Sequence, residues 1–175
     1  KLFEAREQRV HPAKDDKILT DWNGLMIAAL SKGAQVFDNE DYTNAARNAA
    51  DFILENMYDS SGHLMHRYRE GEPAVQGFID DYAFLTWGLI ELYETTFEVK
   101  YLKKALELNN YLLSHFWDNE NGGFYITSDT AESPIVRKKE IYDGAIPSGN
   151  SVAIMNLLRL GRMTGNPELE NKASD

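Results

Sequence analysis

Apolar residues recur at helical spacing over 22–37. Trp22, Leu25, Met26, Ala29, Leu30, Gly33, Ala34 and Phe37 follow the i, i+3, i+4, i+7 rule. Ile27 and Ala28 add apolar surface on the other side, so the pattern predicts a helix buried on most faces. Asp38-Asn39-Glu40-Asp41 can cap a following helix. That helix, over 41–57, is one-sided: Tyr42, Ala45, Ala49, Phe52, Ile53 and Met57 oppose Asn44, Arg47, Asn48, Asp51 and Glu55. Residues 59–77 read as a β-hairpin or long loop, with Leu64 and His66 alternating with Met65 and Arg67 around Arg69-Glu70-Gly71-Glu72-Pro73. The pattern then returns. Residues 80–96 are apolar nearly all round, and 98–116 are amphipathic. A second hairpin is predicted over 123–141, pairing Gly123-Phe124-Tyr125-Ile126-Thr127 with Ile135-Val136-Arg137-Lys138-Lys139. A third all-round apolar helix follows over 148–163, and Asn166-Pro167 starts another as N-cap and first helical residue. Residues 1–20 are charged and read as loop, with Asp15 and Asp16 as a solvated cluster.

The alternation is a repeat. Tyr42 and Tyr101 lie 59 positions apart, and the same offset pairs Asp21 with Asp80, Leu30 with Leu89, Ala46 with Ala105 and Asp59 with Asp118. A third copy sits 127 positions after the first and pairs Asn23 with Asn150 and Leu30 with Leu157. The unit is a helical hairpin plus a long connection. One helix of each pair is apolar all round and the other on one side, as in a ring with inner and outer helices. A flat two-layer solenoid is the rival arrangement. The long connections all run from outer to inner helices, so they collect at one end, beside the starts of the inner helices.

Composition narrows the function. At 175 residues the chain is one domain's worth and can bury a core. With 18 basic and 28 acidic residues the net charge is −10, which argues against phosphate backbones and anionic membranes and suits a neutral partner. The absence of Cys excludes disulfides and thiolate chemistry. No apolar run is long enough to span a bilayer, and a cytoplasmic location is expected. The chain opens Lys1-Leu2-Phe3-Glu4 without Met and stops soon after a helix start, as a piece of a longer protein would. Half a ring would leave apolar flanks on its inner helices, so the expectation is self-association or packing on the rest of its own chain.

Three inner-helix starts carry chemistry in register: Asp21-Trp22-Asn23, Asp80-Asp81-Tyr82 and Ser148-Gly149-Asn150. Asp81 is read as a general acid or base and Asp80 as the helix cap beside it, with Asp21 open to either role. Trp22, Tyr82 and Tyr125 are candidate sugar-stacking rings, and Trp87 is read as core. Asn23 and Asn150 recur where a buried first turn needs a hydrogen-bond partner, either loop backbone or a ligand hydroxyl. His66 of the first hairpin and Asp143, before the third start, are further candidates for the cavity, a turn role being the simpler one for Asp143. His115, near the end of an outer helix, is read as structural. The four histidines lack metal-ligand spacing, so neither metal nor cofactor is expected.

Leu19-Thr20-Asp21-Trp22-Asn23-Gly24-Leu25-Met26, Asp80-Asp81-Tyr82-Ala83 and Pro147-Ser148-Gly149-Asn150-Ser151 resemble the helical region of a family of large proteins with an N-terminal thioredoxin-like domain. Trp117-Asp118 followed by Gly122-Gly123-Phe124-Tyr125 resembles the wider N-acylglucosamine 2-epimerase and six-hairpin glycosidase superfamily. The resemblance implies an all-α fold: a partial (α/α)6 toroid of about three helical hairpins, with β-hairpin loops at one end. The thioredoxin-like half is absent, and the histidines that serve the epimerases as acid and base have no clear match here. Two readings follow: a carbohydrate-active domain, hydrolase- or isomerase-like, with a small sugar-like ligand, or a non-catalytic helical module that binds a partner or supports a redox domain.

Overall fold

The computed structural model describes residues 1–131 and 136–174. Six of its elements are the predicted helices: α2 (Thr20–Phe37), α3 (Glu40–Asn56), α4 (Ile79–Thr96), α5 (Val99–His115), α6 (Gly149–Thr164) and α7 (Pro167–Lys172). Their starts follow local chemistry. The Asn39 side chain accepts from the Asp41 amide, Ser148 from that of Ser151, and Asn166 from that of Glu168, with Pro167 in the first turn of α7. One helix was not expected. Residues read as loop include α1 (Leu2–Glu7), six residues with none buried.

The layers match the patterning. Helix α4 is the centre, packed between α2 and α6 and backed by α5 and α3. From Ile79 to Leu92 only Asp80 and Trp87 reach solvent. The outer helix α3, by contrast, buries only Ala46, Ala50 and Ile53. On α2 the all-round expectation fails in part: Trp22 and Met26 are each 56% exposed, because α3 and α4 cover only two of its sides.

Glycine sets the spacing of the two inner helices. A Cβ on Gly24 would lie 2.5 Å from the Phe84 carbonyl carbon, and one on Gly88 would lie 2.7 Å from the Gly24 oxygen. Backbone therefore touches backbone, which offsets the roughly 1 kcal/mol that a glycine costs inside a helix.

The first connection is the predicted hairpin. Strands β2 (Met65–Arg69) and β3 (Glu72–Gln76) pair antiparallel around Glu70-Gly71, both at positive φ as a two-residue hairpin turn requires. A short strand β1 (Ile18–Leu19) adds to β2 and gives the order β1-β2-β3. The second connection departs from expectation. Ile135 lies outside the described residues, and among those described no second ladder forms. A single bridge joins Trp117 to Phe124, and the Ile126 amide donates to Lys138 O at 2.7 Å. Side chains do the anchoring instead: Arg137 donates to the carbonyls of Thr127 and His115, and Asn150 to that of Phe124. The repeat persists beneath the difference. Tyr58–Leu64 and Trp117–Phe124 are equivalent bridges, and Asp59 and Asp118 each organise the turn between by accepting from two amides.

Candidate active site at the inner-helix starts

The three inner-helix starts meet. The Asp21 amide, in the first turn of α2, donates to Asp81 Oδ1 of α4 at 3.1 Å. The Gly149 amide at the start of α6 donates to the Asp80 carboxylate. Gly149 is required there, since a Cβ would stand 2.3 Å from Asp80 Oδ1. Strand β2 brings His66 to the same place, its ring edge-on to Phe78 at 5.4 Å.

The two adjacent aspartates have exchanged the expected roles at the cap. Asp81, not Asp80, closes the helix start: its Oδ2 accepts from the Phe78 amide at 2.8 Å as the third residue of a capping box. Its oxygens also face His66 Nδ1 at 3.0 Å, and the side chain is 0% exposed. Asp81 is thus an acceptor for three donors, from Asp21, His66 and Phe78, and presents no atom to solvent. Because both its oxygens accept, His66 Nδ1 carries the proton and Nε2 is left for other work.

Asp80 is the half-exposed member. Burial, reinforced by the charges of Asp81 and Asp21, pushes its carboxyl up to about 6. Asp21 is raised as well, by burial and then by Asp81. The hydrogen bond to Asp81 raises His66, against an opposing effect of burial. One atom from each of Asp21, His66 and Asp81 falls within a 4.8 Å cluster that could in principle hold a metal ion. His66 Nδ1 and the Asp81 oxygens are already spent on each other, however, so the cluster has the chemistry of a hydrogen-bonded dyad rather than a ligand set.

The other sequence candidates separate. Trp22 stands exposed beside Asp21. Tyr82 is no part of the mouth: it is 2% exposed, stacked on Tyr111 at 4.9 Å, and its hydroxyl accepts from the Leu64 amide. Asn150 is spent on loop backbone, its oxygen accepting from Phe124 N and its amide donating to the carbonyls of Phe124 and Glu140. Asn23 donates to Leu19 O at 2.7 Å. Asp143 accepts from the Ser148 amide, the turn role. Tyr125 lies under Arg137, at 4.2 Å, and Lys139. His115 pairs with Asp129 at 2.8 Å.

Two features escaped sequence reasoning. Trp87, read as core, is half-buried, and its indole N–H donates to Glu91 Oε1 at 3.1 Å. Glu91 is buried inside α4 and meets Lys32 of α2 at 2.9 Å and Arg159 of α6 at 2.6 Å. Burial alone would raise the Glu91 carboxyl, but bonds from Lys32, Arg159 and Trp87 outweigh it and hold the group below its usual range. The only available signal was charge at equivalent depth on three inner helices, which a one-helix pattern does not weigh.

Comparison with known proteins agrees with this architecture. No family model matches the chain. Human spermatogenesis-associated protein 20 is 37% identical over 98% of the chain, which spans 23% of that protein's length. The cellobiose 2-epimerase of Bacteroides fragilis is 29% identical over 67% of the chain and 29% of its own length. Among solved structures, the cellobiose 2-epimerase of Bacillus thermoamylovorans superposes with a TM-score of 0.76 at 18% identity, covering 94% of this chain and 44% of that one. A family 76 alpha-mannanase from Bacteroides thetaiotaomicron gives 0.70 at 19% identity, over 94% and 44%. No helix among the described residues is long and apolar enough to cross a membrane. Over nearly its whole length the chain is similar to one region of the spermatogenesis-associated protein 20 proteins, and it has part of the (α/α)6 toroid fold seen in sugar epimerases and glycoside hydrolases.

Proposed function

We propose that the surface where the three helix starts converge binds a sugar and exchanges protons with it through Asp80 and His66. The observation that carries this reading is a half-exposed carboxyl held near neutral pH where three helix starts converge. Asp80 can give or take a proton at that pH. His66, fixed through Nδ1, presents Nε2 as its counterpart. Both groups suit the protonation of a glycosidic or carbonyl oxygen, or the removal of a proton beside a carbonyl. The names of the relatives, cellobiose 2-epimerase and alpha-mannanase, point to sugars as the substrate class. If the reaction is hydrolysis, the second carboxylate is Asp21 rather than Asp81, which is fully occupied.

The alternative, a non-catalytic scaffold, draws on the side chains that serve only the fold: Asn23, Asn150, Asp143 and Tyr82. A panel of mono- and disaccharides incubated with the full-length protein decides between them. Asp80→Asn and His66→Gln should each lower turnover about 10²-fold or more while the fold is kept. With Asp80 as base and the His66 imidazolium as acid, the rate rises with pH through about 6 and falls above the raised pKa of His66. Conversion that neither substitution affects would leave the mouth with the scaffold role.

A further inference from the structure

The three-stranded sheet has two faces. On one, His66 meets Asp81 and Tyr68 packs edge-on against Phe52 of α3. Alternation along β2 puts Arg67 and Arg69 on the other. A cavity of about 550 Å³ opens on that second face, lined by Lys17, Arg67, Arg69, Glu70, Glu72 and Ala74. The register explains the set. Arg67 stands opposite Leu19 of β1 and Ala74 of β3, and Arg69 stands opposite Glu72. Lys17, two positions before Leu19, falls on the same face. Ala74 ends at its Cβ and so leaves space beside the long Arg67 side chain.

Three cations against two carboxylates line this cavity, in a chain whose net charge is −10. Two of the cations have acceptors. Lys17 meets Asp15 at 3.1 Å, and Arg69 meets Asp16 at 2.8 Å and Glu70 at 3.5 Å. The side chains of Asp15, Asp16 and Glu70 are all more than half exposed, and ion pairs so open to water are weak and exchange readily. Arg67 differs. It is half-buried, and it has no acceptor among the described residues. A guanidinium is a planar fork of donors that matches two oxygens of a carboxylate or a phosphate. Partly desolvated, and beside two further cations whose partners are exchangeable, Arg67 has what an oxyanion receptor needs.

We propose that this sheet face binds the oxyanion of a small ligand, a phosphate or a carboxylate, with Arg67 as the bidentate contact and Lys17 and Arg69 beside it. The site is separate from the one at the helix starts, because His66 and Arg67 are consecutive on β2 and point to opposite faces. It stands independently of the sugar reading. Asp15 and Asp16 are competitors of the ligand, since each holds a cation that the oxyanion would share.

Calorimetric titration of the full-length protein with inorganic phosphate and, separately, with acetate, at constant ionic strength, tests the proposal. Saturable binding of at least one is expected, and the tighter of the two identifies the head group. Arg67→Gln should weaken it about tenfold or more, because a charge-assisted pair of hydrogen bonds is lost. Arg67→Lys keeps the charge without the fork and should fall between, which also guards against a folding defect in the glutamine variant. Lys103→Gln removes an equal charge from the exposed side of α5 and should leave binding within about twofold. Asp16→Asn should tighten binding, since it removes a competing carboxylate. Saturation by neither anion overturns the proposal. So does equal weakening by Arg67→Gln and Lys103→Gln, which is a response to net charge alone, and so does weaker binding by Asp16→Asn.

Discussion

Adjacent aspartates carry opposite burdens at the residue scale. Asp81 is buried under three donors, and Asp80 is half-open and held protonated up to about pH 6. Removing the Asp81 charge leaves donors on Asp21, Phe78 and His66 short of their acceptor, so Asp81→Asn should cost about 2–4 kcal/mol in denaturant unfolding. Asp80 has the opposite sign. Its folded pKa is raised above the ordinary 3.8, so the folded state binds the proton more tightly, and stability is lost as pH rises from about 4 to 6. Asp80→Asn removes that loss while its amide oxygen still accepts from Gly149. At pH 7 the variant should melt about 2–5 °C higher than wild type, after allowing for solvent screening of a partly exposed group, and at pH 4 the two should coincide. Melting curves at the two pH values check this, and a destabilised Asp80→Asn at pH 7 would return the cap to Asp80. The pair itself was legible in the sequence as two acids opening an apolar helix. Which of them is the cap was not, because the choice depends on where the Phe78 amide and β2 lie in space.

At the scale of the element, periodicity carried most of the fold. Helices α2 to α6 match the apolar pattern to within two residues at their ends, since each must bury a stripe wide enough to show in the sequence. The connections were less legible for the same reason. The hairpin over β2 and β3 has alternation and a Glu70-Gly71 turn, whereas residues 123–127 are fixed by bonds from Arg137 and Asn150 that leave no periodic trace. Helix α1 buries nothing, so no pattern announced it. Gly24 and Gly88 could be read only as tolerated breaks, yet they let α2 and α4 touch along their backbones. Gly24→Ala should therefore cost about 3 kcal/mol or more, despite the better helix propensity of alanine. Gly33→Ala, whose Cβ would meet only the Tyr42 ring at 3.3 Å, should be tolerated far better. Denaturant midpoints of the two variants supply the comparison, and equal midpoints would mean that the crossing can open without penalty.

Taken as a whole, the molecule is graded outward from α4. That helix is packed by α2, α3, α5 and α6, while α2 keeps a flank open at Trp22 and Met26, and α1 stands clear of the core. The gradient follows from the packing: α4 has an inner helix on either side, α2 and α6, whereas α2 packs chiefly on α3 and α4 among the described residues. It was visible in the sequence as all-round apolar patterning, except that patterning cannot say which flank finds a neighbour. Local stability should follow the same order, because an amide exchanges through the smallest opening that exposes it. In native-state hydrogen exchange, the amides of Phe84–Leu92 should open only with global unfolding, at a free energy equal to that from denaturant melts. The α1 amides should exchange within about tenfold of the unprotected rate. The solvent-facing turn of α2 around Trp22–Met26 should fall between, opening at lower free energy than α4 although both are inner helices. If the α2 and α4 amides instead exchanged together at the global limit, the contact through Gly24 and Gly88 would bind the two helices into one cooperative unit, and the open flank would cost the fold nothing.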